Sequence, residues 1–142
     1  MWREFDSPFP DHFGCMMAEI LIKTTKSKEV IDITELVEQE LADSDGLANL
    51  FLKHTTAALT VADLDPGMED DLMGALAKLL PDVDYKHPHN PAHTPDHILS
   101  ALIGVSLTIP IKNGKLALGQ WQRVVLLEFD GPREREITVT VS

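Results

Sequence analysis

Cysteine is nearly absent from this chain: Cys15 is the only one among 142 residues. An internal disulfide and any multi-cysteine zinc site are thereby excluded, and a reducing, cytoplasmic compartment fits best. Basic residues are scarce as well, with twelve Lys and Arg against twenty-three Asp and Glu, giving a net charge of −11. Nucleic acid and an anionic membrane surface are therefore not expected as partners, because phosphate-backbone binding needs clustered Lys and Arg. A small anionic substrate remains open, since a few local cations or a metal outweigh the global sign at short range. Long apolar runs are also missing. Stretches such as Val124 to Leu127 are far too short to cross a bilayer. No basic segment followed by a long apolar one opens the chain, so no leader peptide is expected.

What is present points to one folded domain. The chain is 44% apolar and 25% charged, and its length suffices to bury a real core. Residues 1–15 stand apart, with Trp2, Phe5, Phe9 and Phe13 among charges and prolines and without helical or strand period. They read as an N-terminal extension, either packed on a neighbouring surface or lying upstream of a natural start at Met16 or Met17. The domain proper spans residues 16–142.

Residues 18–25 and Val30 to Ile33 read as strands. Asp32 with Glu35 has capping-box spacing, and Thr34 is a second candidate cap. The helix that follows places Leu36, Val37 and Leu41 on one face. Leu47 to Lys53 and Ala58 to Ala62 form two more strands, joined through His54, Thr55 and Thr56. Asp65-Pro66 opens a second helix, with Asp65 as N-cap and Pro66 at the first helical position. After a loop rich in histidine and proline over residues 82–94, Thr94-Pro95 opens a third helix that ends near Gly104. Ser106 to Ile111, Lys115 to Leu118, Gln122 to Phe129 and Ile137 to Val141 are β-like, with a hairpin at Asn113-Gly114 and a reversal at Asp130-Gly131-Pro132. The pattern predicts an α+β fold: a compact single domain with a large, mainly antiparallel sheet or sandwich and about three helices.

Chemistry is concentrated in the six histidines, four of which lie in YKHPHNPAHTPDH, residues 85–97. Neutral imidazole is the commonest metal ligand. The prolines here forbid one continuous helix, so the spacing of four between His89, His93 and His97 is not a helical metal face. His97 falls in the first turn of the third helix, whose positive end favours a neutral ring suited to metal binding or proton acceptance; the stretch reads equally as a loop of solvated histidines. His54 ends an apolar strand and reads either as a strand-end histidine bonded to backbone, the better reading of the residue alone, or as a ligand-facing tip whose neighbours Thr55 and Thr56 can hydrogen-bond an oxyanion. Asp65 reads as an N-cap; with Asp63 it could also hold a hard cation such as Mg²⁺. Trp121 is either core or a stacking wall for a heteroaromatic ligand, and Arg133 is either a surface arginine or a phosphate clamp.

These segments closely resemble the YjbQ-like family from about residue 17 to the C-terminus. The resemblance rests on HTTAALT (54–60), DP (65–66), His87, DHILSALIG (96–104), SLTIPI (106–111), the GKLALG and WQ pieces within 114–122, and EFDGPR (128–133). It implies a homotrimer whose three family histidines, here His54, His87 and His97, gather around a metal and anion site. It also implies a secondary thiamine-phosphate synthase activity, which joins a pyrimidine diphosphate to a thiazole phosphate. On that basis the chain is expected to be a metal-assisted enzyme acting on a small phosphorylated metabolite. Its catalytic residues would be His97 and Asp65, and its substrate contacts Thr55, Thr56, Trp121, Gln122 and Arg133. The ligand chemistry favours Zn²⁺ at His54, His87 and His97, with Mg²⁺ entering on a diphosphate substrate. The alternative is a metal- or anion-binding homotrimer without turnover. His89 and His93 fall outside the matched pattern and read as loop residues. Ala62-Asp63 replaces the family's Asn-Glu pair, and Gln120 stands where most members have Thr.

Overall fold

The computed structural model describes the backbone of residues 3–4 and all of residues 15–142. Apart from these, the N-terminal extension and its aromatic residues lie outside the described residues. Among the described residues nine strands run in chain order: β1 (Arg3–Glu4), β2 (Met16–Lys23), β3 (Glu29–Asp32), β4 (Gly46–Leu52), β5 (Ala57–Ala62), β6 (Ser106–Lys112), β7 (Lys115–Leu116), β8 (Arg123–Glu128) and β9 (Glu134–Val141). The helices are α1 (Thr34–Glu38), α2 (Met68–Leu79) and α3 (Thr94–Ile103), and a 3-10 turn at Pro91–His93 leads into α3. One sheet has the order β1-β2-β9-β4-β6-β7 and the other β3-β8-β5; the strand pairs in both are antiparallel. The expected α+β sandwich is thus what the chain adopts. Among the described residues no helix is long and apolar enough to cross a membrane.

Alternation of side chains explains the layers. Ile20 and Ile22 of β2, Leu50 and Leu52 of β4, and Ile137 and Val139 of β9 turn inward from the large sheet. They meet Ala57 and Leu59 of β5 and Val124 and Leu126 of β8 in the main core. The odd-numbered residues of β8, Val125 and Leu127, face the other way with Ala58 and Phe129. There they pack under Leu99 of α3 and Leu72, Met73 and Leu76 of α2. β8 is therefore buried on both faces, and this is why it reads as an unbroken apolar run rather than an alternating one. Helix α2 nevertheless has no fully buried residue.

Three local expectations shift. Helix α1 has only five residues, because the chain then tightens through bonds from Glu40 N to Val37 O and Leu41 N to Glu38 O, and Ala42 adopts φ 51°. Val37 and Leu41 still reach the core, whereas Leu36 is 39% exposed. No capping box forms; Asp32 Oδ1 instead accepts from the backbone and hydroxyl of Thr34. Asp65 is not the N-cap of α2. Gly67, at φ 94°, re-aims the chain so that the helix begins at Met68, and Asp65 contributes only its carbonyl to Met68 N. The Asn113-Gly114 hairpin forms as expected, with φ 51° and 71° at its two turn residues.

One end of the sandwich is closed by charge rather than by hydrocarbon. Glu128 follows the inward parity of β8 and Arg135 that of β9, so both enter the space between the sheets, 0% and 2% exposed. Arg135 donates from Nε to Glu128 Oε2 at 2.8 Å and from its Nη2 to Oε1 at 2.5 Å. Its Nη2 also reaches the Thr56 hydroxyl at 2.9 Å and the Thr56 carbonyl at 3.2 Å. The Asp130 amide and the Thr24 hydroxyl complete the carboxylate. Burial alone would raise the Glu128 carboxyl. The Arg135, Asp130 and Thr24 hydrogen bonds outweigh it and hold the group below the ordinary glutamate value.

The pair should behave as a unit. Arg135→Met alone leaves a buried carboxylate uncompensated and is expected to cost about 3–5 kcal/mol in urea unfolding. Combining it with Glu128→Leu should cost clearly less than the two single changes added together. Simple additivity in that double-mutant cycle would contradict a coupled pair.

Candidate functional site

The same end of the sandwich carries two connections between the sheets: residues 53–56 from β4 to β5, and residues 129–133 from β8 to β9. The start of α3 and the loop before it arch over both. Between them lies an open cavity of about 730 Å³, lined by His54, Thr55, Thr56, His87, His97 and Arg133 together with Lys53, His89, Asn90, His93, Asp130, Glu134 and Arg135. Gly131 holds the second connection in place: its amide donates to the Ser27 carbonyl, and a Cβ there would lie 2.2 Å from the Lys26 carbonyl oxygen.

Within the cavity the imidazoles of His87 and His97 meet edge to edge rather than stacking. Their rings are inclined at 65° and their Nε2 atoms lie 3.3 Å apart. Two nitrogens bound at 2.0–2.1 Å to a tetrahedral zinc would be separated by about 3.3–3.4 Å. That separation matches two ligands on one ion, and it is equally a hydrogen bond from a protonated Nε2 to an unprotonated one, which an ion would have to displace.

His54 behaves differently. Its Nε2 accepts the Glu136 backbone N–H at 2.8 Å. In the neutral ring the proton must then sit on Nδ1, which becomes a donor toward an acceptor and has no lone pair for a metal. Burial, followed by the positive charge of Arg135, lowers the His54 imidazole below its ordinary value and keeps the ring neutral. The three histidines expected to share a metal thus divide into two that face one another and one held by the backbone.

The remaining residues are placed by the direction of the strands. Asp65 lies beyond the end of β5, and Trp121 and Gln122 precede β8, whereas His54 precedes β5 and Asp130 follows β8. Six strand residues at 3.3 Å each separate these ends by roughly 20 Å. Asp65 and Trp121 line a separate small cavity with Asp32, Asp63, Gln120 and Arg123. Gln122 closes its own turn, accepting from Gly119 N at 2.8 Å. These three expected site residues are therefore not brought to the histidines within the chain.

Arg133 is half exposed, with Nε on the Asp130 carbonyl at 2.7 Å and Nη2 on Asp130 Oδ2 at 2.9 Å. Arg135, by contrast, is consumed by Glu128. Thr56 is tied to Arg135, while Thr55 faces the cavity. His93, read from sequence as a loop residue, belongs to the cavity wall, with Nδ1 3.3 Å from Asp130 Oδ2.

The sequence matches the family described as UPF0047 protein YjbQ-like over residues 18–142. A UPF0047 protein of Archaeoglobus fulgidus is 41% identical over 122 residues, covering 85% of this chain and 97% of the relative. The UPF0047 protein YugU of Bacillus subtilis is 37% identical, covering 84% and 94%. Among solved structures, a conserved hypothetical protein of Thermus thermophilus superposes with a TM-score of 0.81 at 39% identity, covering 88% of this chain and 99% of that one. A YbjQ-like protein of unknown function from Sulfolobus solfataricus gives a TM-score of 0.82 at 30% identity, covering 89% and 96%.

The bond at His54 Nε2 gives the fold a dependence on acid. The folded chain holds the ring neutral, so the unfolded chain takes up the proton first. The stabilisation is complete above the ordinary imidazole value of 6.5 and is lost as pH falls below it toward the lowered native value. Urea midpoints should therefore drop between about pH 7.5 and about pH 5, with a shallower drop in His54→Gln. Equal slopes in the two proteins would exclude His54 as the source.

Proposed function

This chain belongs to the YjbQ-like family, and we propose that it is a metal-assisted enzyme acting on a small phosphorylated metabolite at the histidine cavity. The observation that carries this reading is the 3.3 Å approach of His87 Nε2 and His97 Nε2 in a cavity that also offers Arg133. His87 and His97 would hold a divalent ion of the zinc type, the two facing imidazoles suiting that ion better than Mg²⁺, which prefers oxygen. When bound, such an ion supplies positive charge to a phosphate oxygen and favours departure of a phosphate or diphosphate leaving group.

The chain's own groups supply the rest. Arg133 presents its remaining N–H groups to a phosphate, held in orientation by Asp130. The Thr55 hydroxyl and the Nδ1–H of His54 are neutral donors suited to anionic oxygens. His97 is the residue we assign to catalysis, through the ion that it would hold with His87. Mg²⁺ would enter with a diphosphate substrate rather than on the imidazoles. By family resemblance the reaction includes formation of thiamine phosphate as a secondary activity, carried out in the cytoplasm by a homotrimer.

A second reading is a metal- or anion-binding homotrimer without turnover. It is favoured by the position of Asp65, which leaves the cavity without the carboxylate expected to act beside His97.

Two measurements decide between these readings. Protein purified without added metal should carry zinc in elemental analysis, and His87→Ala or His97→Ala should weaken zinc binding by at least roughly 100-fold, the upper end of second-shell losses. Supplied with the pyrimidine diphosphate and the thiazole phosphate, the wild type should form thiamine phosphate above the His97→Ala background. Metal retention without product would favour the binding reading. Absence of both metal and product would overturn the first.

A further inference from the structure

The wall of the histidine cavity contains further potential ligands, of which the function proposed above uses only Asp130, as the partner of Arg133. Three adjacent pairs, Ala92-His93, Asp96-His97 and Phe129-Asp130, separate it from a second, mostly apolar cavity of about 410 Å³ between α2 and α3. His93 and Asp130 line the first cavity, and Asp96 and Phe129 the second. Within this wall His93, Asp96 and Asp130 each present one donor atom, and the three atoms lie within 4.8 Å of one another. Atoms bound to one ion at 2.0–2.2 Å can be no more than about 4.4 Å apart, so the three would have to close in by only a few tenths of an ångström to share one ion.

A second observation concerns charge. Asp96 is only 7% exposed, and a carboxylate so removed from water requires a cation. One is already there: the Lys28 ammonium donates to Asp96 Oδ1 at 2.5 Å and to the Phe129 carbonyl. It occupies a position bounded by a carboxylate and a carbonyl, both oxygen ligands of hard cations. The Lys28 side chain is 51% exposed, so it can withdraw without opening the core. Asp130 is likewise shared with Arg133, whose side chain is 54% exposed.

We propose that His93, Asp96 and Asp130 form a divalent-cation site in this wall, at which Lys28 is the resident competitor. One imidazole and two carboxylates, with the Phe129 carbonyl beside them, suit an ion of intermediate hardness such as Mn²⁺ better than Mg²⁺, which needs an all-oxygen shell, or a thiophilic ion. An ion there draws Asp130 away from Arg133 and adds positive charge beside the anion cavity. The site shares no ligand with the His87–His97 pair, so it stands or falls independently of the proposed zinc.

Mn²⁺ titration of the full chain, read by loss of the electron paramagnetic resonance signal of the free aqua ion, tests it. The parent protein is His87→Ala/His97→Ala, which removes the other candidate ligands. It should bind one Mn²⁺ per chain, and adding His93→Ala or Asp130→Asn should weaken that binding by about tenfold or more. Lys28→Ala should strengthen it several-fold, because the competing ammonium is gone; since the Asp96 carboxylate then lacks a cation, Mn²⁺ should also raise the thermal midpoint of Lys28→Ala more than that of the parent, and circular dichroism checks that each variant is folded before titration. No Mn²⁺ uptake at millimolar concentration, or unchanged affinity in both His93→Ala and Lys28→Ala, would show that the cluster is an ion-pair network only.

Discussion

Everything at the functional end of this domain rests on the ion pair between Arg135 and Glu128. Two charges between the faces of a sandwich carry a desolvation cost of several kcal/mol per ion. Here the cost is offset by complete pairing: each carboxylate oxygen accepts one arginine N–H and one further donor. The partners come from separate places in the chain: Thr24 just past β2 and Asp130 in the 129–133 connection donate to Glu128, while Thr56 in the 53–56 connection accepts from Arg135. One guanidinium therefore fixes the relative position of segments that would otherwise be independent loops. The cavity rests on this network, and its field contributes to keeping the His54 ring neutral.

The architecture also separates two ends of the small sheet. Because β5 and β8 are antiparallel neighbours, the residue before one strand sits beside the residue after the other. His54 and Asp130 consequently share one end, while Asp65 and Trp121 share the opposite one. The sequence displays all four as chemistry-bearing residues next to strands, and only the pairing register shows that they form two groups. At the far end Arg123 binds Asp32 and Glu35 at 2.6 Å each, an exposed arrangement with a structural role in tying α1 to β8.

Much of the fold was legible because its signals are local. The Asn113-Gly114 turn, the Thr94-Pro95 start of α3 and the strands around Ile20, Leu50 and Leu126 follow from backbone preference and apolar pattern. The errors occurred where a competing local bond prevailed. Gly67 displaced Asp65-Pro66 as the start of α2, and the tight bonds after Glu38 cut α1 short. In the site, His54, Thr55, Thr56, His87, His97 and Arg133 were singled out and do share one cavity. The role of His93 was not legible, because its partner Asp130 is distant in sequence and is brought to it only by the β8–β9 turn. Nor could the sequence show that the His54 Nε2 is taken by the Glu136 amide, since that depends on the register between β4 and β9 rather than on residue type.

The uneven anchoring of the two faces of β8 has a consequence for how the molecule breathes. Its inner face is locked into the main core, whereas the helix covering part of its outer face buries none of its side chains completely. Detaching α2 exposes little apolar surface compared with separating the sheets, so it is the least costly sub-global opening available. By that comparison the amides of β8 belong to the globally protected core, and those of α2 to the part that opens first. Because the histidine-bearing loop is strung between α2 and α3, the same excursion would loosen that loop as well.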